Sequence, residues 1–322
     1  MTRLFSRISF IAFALVSLSM AAGAEGEKRS LNVLFIGNSF TARHNLSTVV
    51  KAMAEAGQPG LTFNRTDVIY GGRTLKDHWR LGTQNIVKQA TLTEAEEKAT
   101  IAALEKAAAD DPKDKYAPSA LARHRVLLPK IESSRQRWDV VVLQSYRDDI
   151  EGDPTLYAEY APKFAELAKA QGARVILYET TPLTQNDKPL TAAPDSAPIL
   201  AKERAIAALA KKIDAGVAPM ALVAHRCQTQ RPDLTLRFVN DAHLNQTMAY
   251  LTACTLYAAL FEKSPVGLPI DAVTDIRHLE GERNDKTKDR DGNPITRQFS
   301  DQDRADLQRI AWEGWSEFQT LR

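Results

Sequence analysis

Short apolar runs alternate with amphipathic segments along most of the chain. Four segments have the length and apolar character of strands: residues 31–36, 62–70, 139–144 and 174–179. After the first strand, apolar residues recur at helical spacing, at Leu46, Val49, Val50, Met53 and Ala54. Apolar runs separated by amphipathic helices are typical of a parallel sheet that is covered on both faces. The pattern therefore predicts an α/β fold with a central parallel sheet.

The second half of the chain continues this alternation. The helix after the fourth strand is predicted to end at Gly216. Residues 236–239 are predicted as the last strand, and residues 245–262 as an apolar helix behind it. The segment 279–322 is predicted as a charged surface loop followed by a final helix that Ser300 caps.

A charged, alanine-rich stretch at residues 80–135 interrupts the alternation. Thr93 and Glu96 form a capping-box pattern that predicts one helix, and a second helical piece is predicted over residues 118–135. Two interpretations of this helical insertion are open: a lid over the site, or a solvated helical pair on the sheet edge. Its abundant charge favours the second, because charge-rich helices usually have solvated faces.

Residues 1–24 have the pattern of a secretory signal peptide. Arg3 and Arg7 give a charged start, an apolar core follows, and residues 22–24 fit the small-residue cleavage rule. We expect an exported chain of residues 25–322, periplasmic or secreted. We expect no stable membrane anchor, because the apolar run is short for a bilayer span.

The remaining composition argues against several other classes of function. Without the two arginines of the signal, 40 of the 42 basic residues remain against 40 acidic residues. This balance gives no electrostatic basis for binding nucleic acid. The histidines lack HExxH or Cys/His ligand spacing, so no metal site is predicted. Cys227 and Cys254 are the only cysteines, and the position of Cys254 on an apolar helix face favours a buried free thiol over a disulfide.

The most informative motif is the pentapeptide GNSFT at residues 37–41, directly behind the first strand. It places Ser39 on a strand-to-helix turn at the carboxyl end of a parallel strand, where open α/β sheets bind ligands. Taken alone, Asn38 and Ser39 could serve only to cap the helix and turn the chain. Ser39 is otherwise a candidate nucleophile.

Three further motifs follow in order: YGGRTLKDHW at residues 70–79, VVVLQS at 140–145 and NDAHLN at 240–245. With GNSFT, these motifs resemble the signature blocks of the SGNH (GDSL-like) hydrolases, and specifically an exported, divergent branch of that superfamily. The resemblance runs from about Leu31 to Trp315. It implies a single domain over residues 25–322 with a three-layer α/β/α, flavodoxin-like fold. It also implies hydrolysis without metal or cofactor, of an ester whose acyl group is often carried by a carbohydrate or another small alcohol.

The resemblance also suggests roles for particular residues. His243 would be the base for Ser39, and it follows a predicted strand at the same edge of the sheet. The oxyanion would be held by the Ser39 N–H, by a glycine N–H from Gly71 or Gly72, with Gly72 preferred, and by the side-chain amide of Gln144, where most members carry asparagine. The expected substrate-binding residues are Asn38, Gly71, Arg73 and His78.

The acid of the site is the main departure from the superfamily, which places an aspartate three residues before the histidine. That position is Asn240 here, and Asp241 is displaced by one. Either Asp241 orients His243 through an altered turn, or Asn240 accepts the imidazole N–H without supplying charge. The second interpretation leaves a weakened dyad and predicts, as the alternative function, a catalytically impaired carbohydrate-binding protein.

Overall fold

Five parallel strands form the central sheet of the computed structural model, which describes residues 29–144, 156–180, 184–239, 241–276 and 286–322. The strands are β1 (Arg29–Gly37), β2 (Leu61–Ile69), β3 (Val140–Gln144), β4 (Arg174–Tyr178) and β5 (Gly216–Ala218). Their order is β2-β1-β3-β4-β5. This is the flavodoxin-like order, in which ligands lie where the connections switch sides, here between β1 and β3. The predicted fold class is confirmed.

The residues of β1 alternate between the two faces of the sheet. Val33 and Phe35 pack into one apolar core, Leu34 and Ile36 pack into the other, and all four are fully buried. β3 is buried along its whole length. Burial on both faces explains why these strands are continuous apolar runs in the sequence.

Helices cover both faces and complete the three layers. The core that contains Val33 also receives residues of α2 (Leu46–Gly57), α9 (Met220–Gln230), α10 (Gln246–Phe261) and α11 (Asp301–Gln319). The opposite core receives residues of α3 (Leu75–Arg80), α4 (Thr83–Val87), α5 (Glu94–Asp110), α6 (Tyr116–Leu127), α7 (Leu156–Lys169) and α8 (Ala197–Ile213). A four-residue helix, α1 (Ser39–Ala42), follows β1 directly.

Two predictions in the second half of the chain are wrong. Residues 236–239 do not join the sheet; an isolated bridge links Arg237 to Leu244, and the fifth position of the sheet belongs to β5. Gly216 begins that strand, whereas α8 ends at Ile213 and its C-cap, Asp214, adopts a left-handed conformation with φ of 47°. The lack of a side chain at 216 leaves room for Ile176, because a Cβ there would lie 2.6 Å from Ile176 Cδ1.

The helical insertion is built mainly on α5 and α6. The predicted capping box is present: Thr93 Oγ1 accepts from Glu96 N, and the Glu96 carboxylate accepts from Thr93 N. α5 is mostly exposed, as its charge predicts, whereas α6 starts at Tyr116 and ends at Leu127, earlier than expected. Tyr116 lies against the loop that follows β2, so the insertion reaches the carboxyl edge of the sheet.

The C-terminal segment contains more structure than the predicted loop. β6 (Ala272–Thr274) and β7 (Thr296–Gln298) form a two-stranded antiparallel sheet, and residues 277–285 lie outside the described part of the chain. The Ser300 hydroxyl accepts from Asp303 N at 3.0 Å and caps α11 as predicted.

The predicted signal peptide, residues 1–24, lies outside the described residues. Among the helices that the structure does describe, none combines the length and apolarity that a bilayer span requires. Cys227 and Cys254 are free and buried. Burial raises the pKa of the Cys227 thiol to about 12, so it is an unreactive core residue.

Candidate active site

The chain turns sharply behind β1 and presents Ser39 at the start of α1. Asn38 is the N-cap in an extended conformation, and its Oδ1 accepts from Phe40 N at 3.0 Å. The backbone N–H groups of Thr41 and Ala42 donate to Asn38 O. These contacts set the direction in which the serine side chain leaves the turn.

Ser39, His243 and Asp241 form a continuous hydrogen-bonded chain. Ser39 Oγ lies 2.8 Å from His243 Nε2, and His243 Nδ1 lies 2.6 Å from Asp241 Oδ1. The carboxylate fixes the tautomer, because its oxygen accepts the Nδ1 proton and leaves the Nε2 lone pair facing the serine hydroxyl. The ring of Phe40 stacks on His243 with 5.1 Å between centroids. This arrangement meets the geometric requirement for an activated serine nucleophile.

Asp241 also contacts a residue that the sequence did not single out. Its Oδ2 forms an ion pair with the guanidinium of Arg290, and its side chain is 9% exposed. The loop that carries Arg290 is bound to the chain just before His243, because the Asp291 carboxylate accepts from Val239 N at 3.0 Å. The sequence signal at residues 289–293 is only a turn-forming DRDGN, which does not indicate a partner.

The other candidate acid, Asn240, lies outside the described residues. Of the two predicted alternatives for the acid, the described contact to His243 Nδ1 is that of Asp241. Asp241 Oδ1 also accepts from the backbone N–H of His243 at 3.2 Å. A single carboxylate oxygen therefore contacts both the main chain and the ring of the histidine.

Two backbone N–H groups are candidates to hold an oxyanion. Tyr70, Gly71, Gly72 and Arg73 form a tight turn closed by Arg73 N donating to Tyr70 O at 3.1 Å, and Gly72 adopts a φ of 66°. Within the described part of the chain, neither the Ser39 N–H nor the Gly72 N–H donates to a protein group. The turn at residues 70–73 borders the one that carries Ser39, because Asn38 Nδ2 donates to Arg73 O at 3.1 Å. Backbone N–H groups without a protein partner are suited to hold a tetrahedral oxyanion.

The side-chain oxygen of Gln144 contacts the turn at residues 37–41 that carries Ser39, named here the nucleophile turn. Its side chain is fully buried, and its Oε1 accepts from Asn38 N at 2.7 Å and from Thr41 Oγ1 at 3.0 Å. This approach requires glycine at 37, since a Cβ there would lie 2.5 Å from Gln144 Oε1. Gln144 thus positions the nucleophile turn through its oxygen, and the predicted oxyanion contact, which concerns the nitrogen of the same amide, stays a prediction.

Two of the expected substrate-binding residues are also internal. Asn38 is fully buried, and its Nδ2 donates to Arg73 O at 3.1 Å. His78 is fully buried, with Nε2 at 2.9 Å from Gly37 O and Nδ1 at 3.1 Å from Thr83 Oγ1. Burial lowers the pKa of His78 to about 4, so the ring is neutral and its Nε2–H donates to the carbonyl that ends β1. Both residues hold the nucleophile turn.

The other two expected substrate-binding residues, Gly71 and Arg73, are half-buried in the turn after β2. The Arg73 guanidinium lies over the ring of Tyr116, 4.8 Å from the centroid, and the Tyr116 hydroxyl donates to Gly71 O at 2.6 Å. Tyr116 is the second site residue that sequence reasoning missed. Across the described ranges, no group of three or more His, Cys, Asp or Glu side chains is placed to hold a metal ion.

The chain matches no protein-family model, and no curated protein matches it. A search of solved structures finds a chain described as "a putative SGNH hydrolase from Slackia heliotrinireducens", with 19% identity, 72% of this chain and 100% of that chain covered, and a TM-score of 0.43. It also finds the crystal structure of TesA, with 15% identity, 72% of this chain and 98% of that chain covered, and a TM-score of 0.38. The fold class therefore rests on the strand order of the chain itself, and the reaction class on the contacts of Ser39.

Proposed function

We propose that this protein is an exported serine esterase, periplasmic or secreted, that hydrolyses a small acyl ester such as an O-acetyl group on a carbohydrate. The observation that carries this proposal is the chain from Ser39 Oγ to His243 Nε2 at 2.8 Å and from His243 Nδ1 to Asp241 Oδ1 at 2.6 Å. Both contacts are within the range needed for proton transfer from a nucleophile to a general base.

In this proposal His243 Nε2 takes the Ser39 proton as Oγ attacks the ester carbonyl. Asp241 stabilises the imidazolium that forms, and the N–H groups of Ser39 and Gly72 hold the oxyanion of the tetrahedral intermediate. His243 then gives its proton to the departing alcohol, which leaves Ser39 acylated. A water molecule, deprotonated by the same histidine, hydrolyses the acyl-enzyme and restores the serine.

The alternative function is a catalytically impaired carbohydrate-binding protein, which the sequence suggests through Asn240 and Gln144. This alternative requires that His243 lack a charged partner. The contact of Asp241 with His243 Nδ1 supports the esterase instead, because a carboxylate at that position supplies both the tautomer and the charge.

The test is hydrolysis of p-nitrophenyl acetate by the parent protein, by Ser39→Ala and by Asn240→Asp. We expect turnover by the parent, loss of about 10³-fold or more in Ser39→Ala, and little gain in Asn240→Asp because Asp241 already occupies the acid position. Equal rates for the parent and Ser39→Ala would overturn the proposal. A silent parent together with an active Asn240→Asp variant would favour the impaired binding protein.

A further inference from the structure

The first residue of α6 contacts the turn that carries a proposed oxyanion donor. The Tyr116 hydroxyl donates to Gly71 O at 2.6 Å. The carbonyl of Gly71 and the N–H of Gly72 belong to one planar trans peptide group, so they point in opposite directions. A contact that fixes the carbonyl therefore fixes the direction of the N–H.

We propose that Tyr116 is a positioning residue for the oxyanion hole: its hydroxyl holds the Gly71–Gly72 peptide in the orientation that presents the Gly72 N–H to the reacting ester. This inference rests on the esterase function proposed above. It assigns a role in catalysis to the helical insertion, which carries Tyr116 to the carboxyl edge of the sheet.

The turn does not determine this orientation by itself. Gly71 and Gly72 are its two central residues, and alternative turn types differ by a flip of the peptide between such residues while the closing bond is kept. That closing bond is Arg73 N to Tyr70 O at 3.1 Å, and it is compatible with either orientation. Glycine at both positions removes the steric penalty of the flipped form. Gly72 is exposed, and a Cβ built there would meet no atom within 4 Å, so packing does not select the orientation either.

Tyr116 is itself held firmly enough to act as an anchor. Its backbone N–H donates to Asp114 Oδ1 at 2.9 Å, and Asp114 Oδ2 pairs with Arg80 Nη1 at 2.8 Å at the end of α3. The ring packs edge-on against Tyr70, with 5.8 Å between centroids. These contacts connect the start of α6 to the sheet edge through α3.

The hydroxyl contact has an electronic effect in addition to a geometric one. A hydrogen bond to a carbonyl polarises its amide, and the N–H of that amide becomes a stronger donor. The benefit appears only when negative charge develops on the substrate oxygen, so it accelerates the reaction with little effect on substrate binding. Tyr116 should therefore affect kcat more than KM.

The central test compares Tyr116→Phe with Tyr160→Phe, a matched control that removes the hydroxyl of a half-buried tyrosine on α7 packed against Trp79. Loss of a whole oxyanion donor costs about 10²–10³ in kcat. Misorientation of one donor should cost less, so we expect kcat on p-nitrophenyl acetate to fall by about tenfold to a hundredfold, with KM and the pH profile unchanged. Inhibition by phenylboronate, whose serine adduct places an oxygen in the hole, should weaken by the same factor.

A second variant perturbs the same contact from the other side. A Cβ at Gly71 would lie 3.2 Å from the Tyr116 hydroxyl, so Gly71→Ala should push the two groups apart while α6 keeps its tyrosine. We expect Gly71→Ala to show the same loss in kcat, and the double variant to lose no more than either single one, because both act on one peptide group.

The outcomes separate this inference from the proposed function. An active parent with kcat in Tyr116→Phe equal to that of Tyr160→Phe overturns the role of Tyr116 and leaves the esterase intact. Losses that multiply in the double variant, or a phenylboronate affinity that does not change, also overturn it. A parent no faster than Ser39→Ala rejects the esterase itself.

Discussion

Replacement of Asp241 by asparagine is the most direct perturbation of the candidate site. The carboxylate contacts His243 Nδ1 at 2.6 Å and has a side chain only 9% exposed, so its charge is weakly screened. An amide of the same shape removes that charge. Its NH₂ group can also donate to Nδ1, which would move the ring proton to Nε2 and leave the Ser39 hydroxyl without an acceptor.

The size of the effect follows from two contributions. Opposite unit charges about 4 Å apart attract by about 4 kcal/mol at an effective dielectric constant of about 20. The loss of that attraction in the transition state costs about 10³ in rate. The wrong tautomer adds to this, and the same substitution in a Ser-His-Asp triad lowers kcat by about 10⁴. We therefore expect Asp241→Asn to lose between about 10³ and 10⁴ in kcat.

The assay is p-nitrophenyl acetate hydrolysis under kcat conditions, with Asp187→Asn as the control. Asp187 is a nearby carboxylate that pairs with Arg237 at 3.0 Å and does not belong to the triad. We expect the control to stay within about twofold of the parent, because a partly exposed pair contributes about 1 kcal/mol or less. Retention of a tenth or more of the parent kcat by Asp241→Asn would refute the reasoning, and Asn240 would then be the residue to test as the partner of His243.

The remaining predictions concern charge and burial. In Arg290→Gln the cation beside Asp241 is lost, so we expect the acidic limb of the pH–rate profile to move to higher pH, with at most about a fivefold change in plateau kcat. Burial raises the pKa of Glu203 and of its neighbour Glu179, so stability is lost as pH rises through the raised values; Glu203→Gln should be stabilised relative to the parent in alkaline thermal scans. Burial lowers the pKa of His78 from 6.5 to about 4, so the parent should lose about 3 kcal/mol of stability as pH falls across that interval, and denaturant unfolding of His78→Gln should lack this loss.

The sheet and most helices could be predicted because their residues are buried in a periodic way. β1 and β3 are apolar throughout since both faces of the sheet are covered. The wrong prediction of a strand at residues 236–239 also arises from a periodic pattern of buried residues. Leu236 and Phe238 are buried and alternate as in a strand, yet their backbone meets only an isolated bridge. An alternating apolar pattern indicates which side chains are buried, but it does not indicate whether a neighbouring strand is available to pair with the backbone.

The site was only partly predictable for a related reason. Ser39 and His243 carry motif signals, whereas the contact of Tyr116 with Gly71 joins positions 45 residues apart and leaves no local pattern. His78 and Gln144 have the right residue types for a pocket, but their burial depends on the packing of α3 and of the β3 end. The residue types therefore predicted hydrogen bonds from these two side chains. In the structure, both side chains make hydrogen bonds to the main chain of the nucleophile turn.

The displaced acid has a physical explanation in the loop that carries it. Phe238 and His243 lie side by side, with Phe238 N donating to His243 O at 3.3 Å. An aspartate whose side chain accepts from the N–H two residues ahead forms a local turn, and Asp241 Oδ1 does so with His243 N at 3.2 Å. The same oxygen is thereby brought beside the imidazole of that residue, at 2.6 Å from Nδ1. A spacing of two residues thus lets the main chain and the ring share one carboxylate oxygen and leaves Oδ2 for Arg290, so Asn240 need not supply the charge that the proposed esterase requires.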